Sequence, residues 1–171
     1  LNDEVVALKI LHPHLAQDEQ IFARFRNEVL VARSLTHPNL IRIHDIGRTT
    51  EGMSYITMEF VRGYSLDDRL AKRGDETVPQ KPLSFSEAVS VLYHVVCAVA
   101  YAHDKGIIHR DLKPANIMIG ESGEIKLADF GTARIMSGSS SITQTGQSIG
   151  TPDYMSPEQI RGEELDEACD I

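Results

Sequence analysis

Apolar and polar positions change period several times along this chain, and each change marks an element. Positions 5–11, Val-Val-Ala-Leu-Lys-Ile-Leu, are β-branched and apolar with a single charge, which predicts a strand. His12-Pro13-His14 breaks it. Ile21, Phe22, Phe25, Val29 and Ala32 then recur at three- and four-residue steps, predicting an amphipathic helix from Asp18 to about Leu35. Thr36-His37-Pro38-Asn39 ends that helix, and positions 40–46 and 55–61 read as two strands joined by a turn at Glu51-Gly52. The first part of the chain is therefore strand, helix, strand, strand.

After Gly63 the pattern turns helical. Positions 65–73 predict a short helix, and 74–82 a polar, proline-containing loop. Ser84 with Glu87 three residues on spells a capping box, opening a long apolar helix from Phe85 to about Asp104 that Gly106 closes as a left-handed cap. Leu92, Val96, Val99 and Ala100 are expected on its core face. Positions 116–119 and 124–127 flank Gly120-Glu121-Ser122-Gly123, a hairpin signal. Positions 137–147 are rich in Ser, Thr and Gly and read as a loop. No internal repeat is present.

Composition narrows the function classes. With 42% hydrophobic and 25% charged residues, the 171-residue chain can bury a core and is not disordered. Its formal net charge of -8 argues against a nucleic-acid or anionic-membrane binder. Two cysteines, Cys97 and Cys169, cannot build a disulfide framework and point to a reducing compartment, the cytoplasm. The longest strictly apolar run, positions 95–102, is short of a membrane span, so a tether would have to come from outside this segment. The histidines show no zinc-ligand spacing. Opening at Leu1 and stopping at Asp170-Ile171, the sequence is expected to be an excised piece.

The chemistry concentrates in His109-Arg110-Asp111-Leu112-Lys113-Pro114-Ala115-Asn116. Five of these letters (His, Arg, Asp, Lys, Asn) match by chance about once in three million windows at average residue usage. Asp129-Phe130-Gly131 follows, then Ser156-Pro157-Glu158; upstream, Val6-Ala7-Leu8-Lys9 precedes Glu28 on the first helix. Such residue types suit phosphoryl transfer, which needs clustered phosphate charge neutralised and two oxygens held in line. As a set, spanning Lys9 to Asp170, these motifs resemble the eukaryotic-type protein kinase family, in its bacterial (Hanks-type) serine/threonine branch.

The resemblance implies an α+β, bilobal kinase-like fold, partial at both ends: residues 1–61 as an N-lobe with hinge, lacking its Gly-rich loop, and 62–171 as a C-lobe with catalytic and activation loops. It implies ATP and Mg2+ as cofactors and Ser/Thr hydroxyls of proteins as acceptors. Asp111 would orient or deprotonate the hydroxyl, Lys113 would steady the moving phosphoryl group, and Lys9, held by Glu28, would reach the phosphates. Asn116 and Asp129 would hold magnesium. Met58 would be the gatekeeper, with the backbone of Glu59 and Val61 on adenine and Ala7 and Met118 sandwiching the purine. Ile43, Ala32, Phe130 and His109 match the stack that aligns the lobes, Ala32 being small for its place. Asp170 matches the aspartate that anchors the catalytic loop.

The regulatory segment implies autophosphorylation at Thr143 and Thr145, in trans within a kinase homodimer, with Arg110, Arg134 and Arg24 as phosphate partners. Thr151 would shape the substrate site through Asp111 and Lys113. Two alternatives remain: a pseudokinase scaffold that only binds nucleotide, and a small-molecule kinase, which usually lacks the His-Arg-Asp-Leu-Lys-Pro motif. Residues 1–171 on their own are expected to be molten or aggregated, and to transfer little phosphate.

Overall fold

The computed structural model describes residues 5–10, 19–71, 78–79, 81–130 and 152–171. Strand β1 (Val6–Ile10) is followed by helix α1 (Glu19–Arg33), strands β2 (Ile43–Arg48), β3 (Ser54–Glu59) and β4 (Gly63–Ser65), and helices α2 (Leu66–Ala71) and α3 (Phe85–His103). Strands β5 (Ile117–Gly120) and β6 (Ile125–Leu127) and the short helix α4 (Pro157–Arg161) come next, and single 3-10 turns cover Pro114–Asn116, Pro152–Tyr154 and Glu167–Asp170.

The strands form two antiparallel sheets. In the first, of order β1-β3-β2, β1 pairs with β3 from Val6 opposite Glu59 to Ile10 opposite Tyr55, and a bulge interrupts β2 between Ile43 and Asp45. Helix α1 lays Val29 on this sheet, against Ile56, Ile43, Ile46 and Met58. The second sheet has the order β4-β5-β6. Strand β4 replaces the start of the helical run expected after Gly63: Gly63, Tyr64 and Ser65 pair with Gly120, Ile119 and Met118. Three residues carry too little periodicity to announce a strand, and the pairing depends on Gly63, where a Cβ would lie 2.0 Å from the Ile119 carbonyl oxygen.

The two sheets are stitched by backbone. Leu127 N–H donates to Asn39 O (2.8 Å), Ile41 N–H to Leu127 O (2.9 Å), and the Asn39 side-chain Nδ2 adds a bond to Ile125 O (2.8 Å). Ala32, Leu35 and Leu40 thereby join one core with Val91, Val95, Ala98, Val99, Ala102, Ile117, Ile119, Ile125, Leu127 and Phe130.

Helix α3 begins at the expected capping box: Ser84 Oγ accepts from Glu87 N–H (3.2 Å), and Glu87 Oε2 accepts from Ser84 N–H (2.7 Å). Gly106 (φ +70°) turns the chain out, with its N–H on His103 O (2.8 Å). Its core face is not the stripe read from the sequence. Val91, Val95, Ala98, Val99 and Ala102 are buried, while Leu92 (63% exposed) and Val96 (55%) face outward and Ala100 is exposed; of the four expected residues only Val99 is in the core. In a helix apolar nearly all round, adjacent stripes look alike in the sequence, and the elements it meets decide which is buried. By length and composition alone α3 could cross a membrane (19 residues, mean hydropathy 1.5). Here its buried stripe packs on β6.

Candidate active site

The loop from Ile107 to Asn116 is held by groups from three directions. From below, the Asp170 carboxylate, fully excluded from solvent, accepts the backbone N–H of His109 (2.7 Å, Oδ2) and Arg110 (2.7 Å, Oδ1) and the His103 ring Nε2–H (2.8 Å). From inside, His109 packs edge-on against Phe130 (ring centroids 4.5 Å apart) and donates from Nε2 to Ala128 O (2.8 Å). That bond fixes the tautomer, because a carbonyl can only accept. Nδ1 is then the acceptor for Asp111 N–H (3.2 Å). Burial holds the His109 pKa below its usual value, against the Ala128 carbonyl and the carboxylates of Asp170, Asp111 and Asp129, which favour the cation. From α4, Gln159 Nε2 donates to Arg110 O (2.6 Å).

Within this frame Arg110 has φ +68°, a left-handed backbone uncommon for any residue other than glycine. The kink turns Asp111 toward Lys113 and Asn116. Its carboxylate receives Lys113 Nζ (2.8 Å to Oδ2, 3.0 Å to Oδ1) and Asn116 Nδ2 (3.0 Å), which also donates to Asp111 O (2.7 Å). Asn116 O takes the N–H of Ala128 (2.8 Å), so the loop and the residue before Asp129 are registered to each other. Asp129 (φ +64°) accepts Lys9 Nζ at 2.7 Å, across 120 positions of sequence. The Lys9 and Asp129 side chains are 34% and 27% exposed, so the pair is reachable from solvent.

Lys9, Asp111, Lys113, Asn116 and Asp129 thus fall into two linked clusters. The Glu28 carboxylate, expected on Lys9, lies outside the described residues, as does the Arg24 side chain. Gly131, Arg134, Thr143, Thr145 and Thr151 are outside them too. Arg110, the remaining expected phosphate partner, has a buried Nε with no hydrogen-bond partner among the described residues. Ala7 stands opposite Met58 in the β1–β3 ladder, and Met118 lies opposite Ser65 and Lys126 on β5. The Glu59 N–H is committed to Arg42 O (2.8 Å), so any backbone contact of Glu59 to a ligand falls to its carbonyl. Val61 follows, partly exposed. Ala32, Phe130 and His109 are buried, and Ile43 packs against both core clusters. A cavity beside them is lined by Ala32, Ile43, Ile56, Met58, Asp129 and Phe130 among others.

Among the described residues no group of three or more His, Cys, Asp or Glu side chains could hold a metal by itself. An Asn amide beside an Asp carboxylate nevertheless fits magnesium, which takes one or two protein oxygens and completes its shell with water and phosphate. Asn116 Nδ2 is spent on Asp111, which leaves its carbonyl oxygen as the atom suited to a cation. The Cys169 thiol is pushed up to about 11, first by burial and then by Asp170, and is no nucleophile at neutral pH.

Two residues of this frame escaped the sequence reading. Gln159 has a legible local role, since Ser156-x-x-Gln159 is a capping-box spacing, but nothing local points it at Arg110. His103 reads only as a basic residue in the last turn of α3.

Residues 1–171 match the family described as "Protein kinase domain". The chain belongs to the protein kinase family. Its curated relatives include the serine/threonine-protein kinase PknB of Mycobacterium leprae, 40% identical over 97% of this chain and 26% of that protein. The serine/threonine-protein kinase PrkC of Bacillus subtilis is 42% identical over 94% of this chain and 23% of that protein. Among solved structures, the Mycobacterium tuberculosis PknI kinase domain superposes with a TM-score of 0.72 at 32% identity, covering 96% of this chain and 58% of that one. The chain therefore spans about a quarter of the length of its curated relatives (26%) and over half of a solved kinase domain (58%). Kinases of this family use ATP and Mg2+, and their motifs match Lys9, Asp111, Asn116 and Asp129 here.

Proposed function

We propose that this chain is the catalytic core of a serine/threonine protein kinase that moves the ATP γ-phosphoryl group to protein Ser/Thr hydroxyls. The observation that carries the reading is the Asp111 carboxylate. It is held by Lys113 and Asn116, on a loop clamped by Asp170, one backbone link from the Lys9–Asp129 pair. In this reading residues 1–61 and 62–171 act as two lobes, with adenine between Ala7 and Met118, beside Met58, on the Glu59 carbonyl and the Val61 N–H. Lys9 leaves Asp129 for the α- and β-phosphates, with Glu28 as its other partner. Asp129 and Asn116 would hold magnesium, which neutralises charge on the phosphates.

Asp111 orients the acceptor hydroxyl and takes its proton as the new O–P bond forms and the γ-phosphorus parts from the β-phosphate oxygen, leaving ADP. Lys113 sits against Asp111 and offsets negative charge on the transferring oxygens. Activation follows phosphorylation of Thr143 and Thr145 by a second copy, with Arg110, Arg134 and Arg24 on the phosphate and Thr151 at the acceptor site. The Arg110 Nε, buried and without a hydrogen-bond partner among the described residues, supports that part. The cytoplasm is the expected compartment, with any membrane tether outside these residues.

The names of the curated relatives favour the enzyme over a nucleotide-binding scaffold. Incubating the full-length protein with γ-labelled ATP, Mg2+ and a Ser/Thr substrate tests the reading. Label transfer that disappears in Asp111→Asn is expected. ATP binding without transfer in the wild type would favour the scaffold.

A further inference from the structure

Gln159 lies outside the set of residues the kinase reading uses, yet both ends of its amide are committed. Its Oε1 accepts from Ser156 N–H (2.8 Å), and Ser156 Oγ accepts the Gln159 N–H (3.4 Å), the reciprocal pair of a capping box. Its Nε2 donates to Arg110 O at 2.6 Å, across 49 positions. The amide can face only one way, because Ser156 N–H can only donate and Arg110 O can only accept.

Arg110 O belongs to the peptide that joins Arg110 to Asp111. The other end of that peptide, Asp111 N–H, is held by His109 Nδ1 (3.2 Å), and the N–H groups of the two residues before Asp111 are held by Asp170. Gln159 therefore holds the carbonyl end of a peptide whose N–H end His109 grips, next to an Arg110 at φ +68°. Without that bond, the peptide plane can rotate about ψ of Arg110 and φ of Asp111, and the Asp111 carboxylate turns with it.

We propose that Gln159 is a positioning residue for phosphoryl transfer: its amide fixes the Arg110–Asp111 peptide plane, aims Asp111, and couples the seating of α4 to the catalytic loop. The proposal rests on the kinase reading above. It separates two roles of one side chain, since a carboxylate at this position can still cap Ser156 but cannot donate to Arg110 O.

The test compares wild type, Gln159→Glu, Ser156→Ala and Asp111→Asn in the full-length protein. Readouts are kcat, KM for ATP and thermal midpoint between pH 5.5 and 8. For Gln159→Glu, the expected result is a near-wild-type melting midpoint and KM, with kcat at pH 8 down about tenfold to a hundredfold, the scale of a misaimed reacting group. The variant-to-wild-type kcat ratio then rises as pH falls, because a protonated carboxyl restores a donor to Arg110 O. Ser156→Ala, which removes only the cap, lowers the midpoint with little change in kcat. Wild-type kcat in Gln159→Glu at pH 8, a kcat loss with a pH-independent ratio, or an equal kcat loss in Ser156→Ala would each overturn the proposal. If Gln159→Glu does not fold, Gln159→Met takes its place: it removes both bonds and must lose more kcat than Ser156→Ala, and parity between them overturns the proposal. Failure of wild type itself to transfer phosphate refutes the kinase reading instead.

Discussion

Asp170→Asn isolates the clamp beneath the catalytic loop, because the change keeps shape and volume and removes only charge and acceptor capacity. The native carboxylate accepts three short bonds, from His109 N–H, Arg110 N–H and His103 Nε2–H, with no water access. An asparagine offers one acceptor oxygen and one NH2. Whichever way it turns, its NH2 faces at least one N–H that needs an acceptor. Hydrogen bonds to a charged group contribute about 1.5–3 kcal/mol each, and a buried unpaired donor costs about 1–3 kcal/mol. The two effects overlap at the same group, so the expected loss is about 2–5 kcal/mol, a large part of the stability of a typical domain, which is about 5–15 kcal/mol. The bonds lost are those holding Arg110 in a left-handed conformation that costs about 1–2 kcal/mol, so the loop relaxes as the clamp goes. Urea unfolding of the full-length protein should show the kinase-domain transition at a lower midpoint with an unchanged slope, and kcat should fall at least about tenfold. A loss under about 1 kcal/mol together with wild-type kcat would mean the Asp170 bonds do not determine the loop, and would refute the reasoning.

Four further outcomes follow from the same geometry. Lys9→Met should leave the fold intact and reduce phosphotransfer by at least about a hundredfold in a labelled-ATP assay, since Lys9 pairs with Asp129 and is the proposed phosphate ligand. His109 is buried neutral with a lowered pKa, so below pH 6.5 the unfolded chain binds a proton that the folded one refuses; stability should fall as pH drops from 6.5 toward the folded pKa, and His109→Phe should flatten that limb in denaturant titrations. Gly63→Ala should destabilise by more than about 2 kcal/mol by urea titration, because its Cβ would press on backbone, 2.0 Å from Ile119 O and 2.8 Å from Gly120 Cα, which cannot swing away as a side chain can. Residues 1–171 produced alone should bind a hydrophobic dye and melt without cooperativity, given Phe85, Leu92, Tyr93 and Val96 exposed along one helix; a sharp calorimetric transition would contradict this.

Local signals were read well because their physics is local. The capping box at Ser84, the Gly106 exit from α3 and the hairpin around Gly120–Gly123 each involve residues within four positions of one another, and each is present as expected. Helix α1 and strands β1, β2 and β3 fall within two or three residues of their expected limits. Two readings failed for a shared reason. Strand β4 and the buried face of α3 depend on partners far away in sequence: Gly63 meets Gly120, and Val91 rather than Leu92 meets the core around Ile117 and Leu127.

The identity of the chemistry was set by residue types and intervals alone. Asp111, Lys113 and Asn116 lie close enough on one loop that their spacing already implies contact, and the motif set names the family. What only the tertiary structure decided is how that chemistry is aimed. Lys9 reaching Asp129 across 120 positions, Asp170 and Gln159 gripping the peptides on either side of Arg110 and the neutral tautomer of His109 all depend on the path of the chain. The physical reason is range. Periodicity, capping and turn preference act over a few residues, whereas a hydrogen bond between distant positions is encoded only in the packing that brings them together.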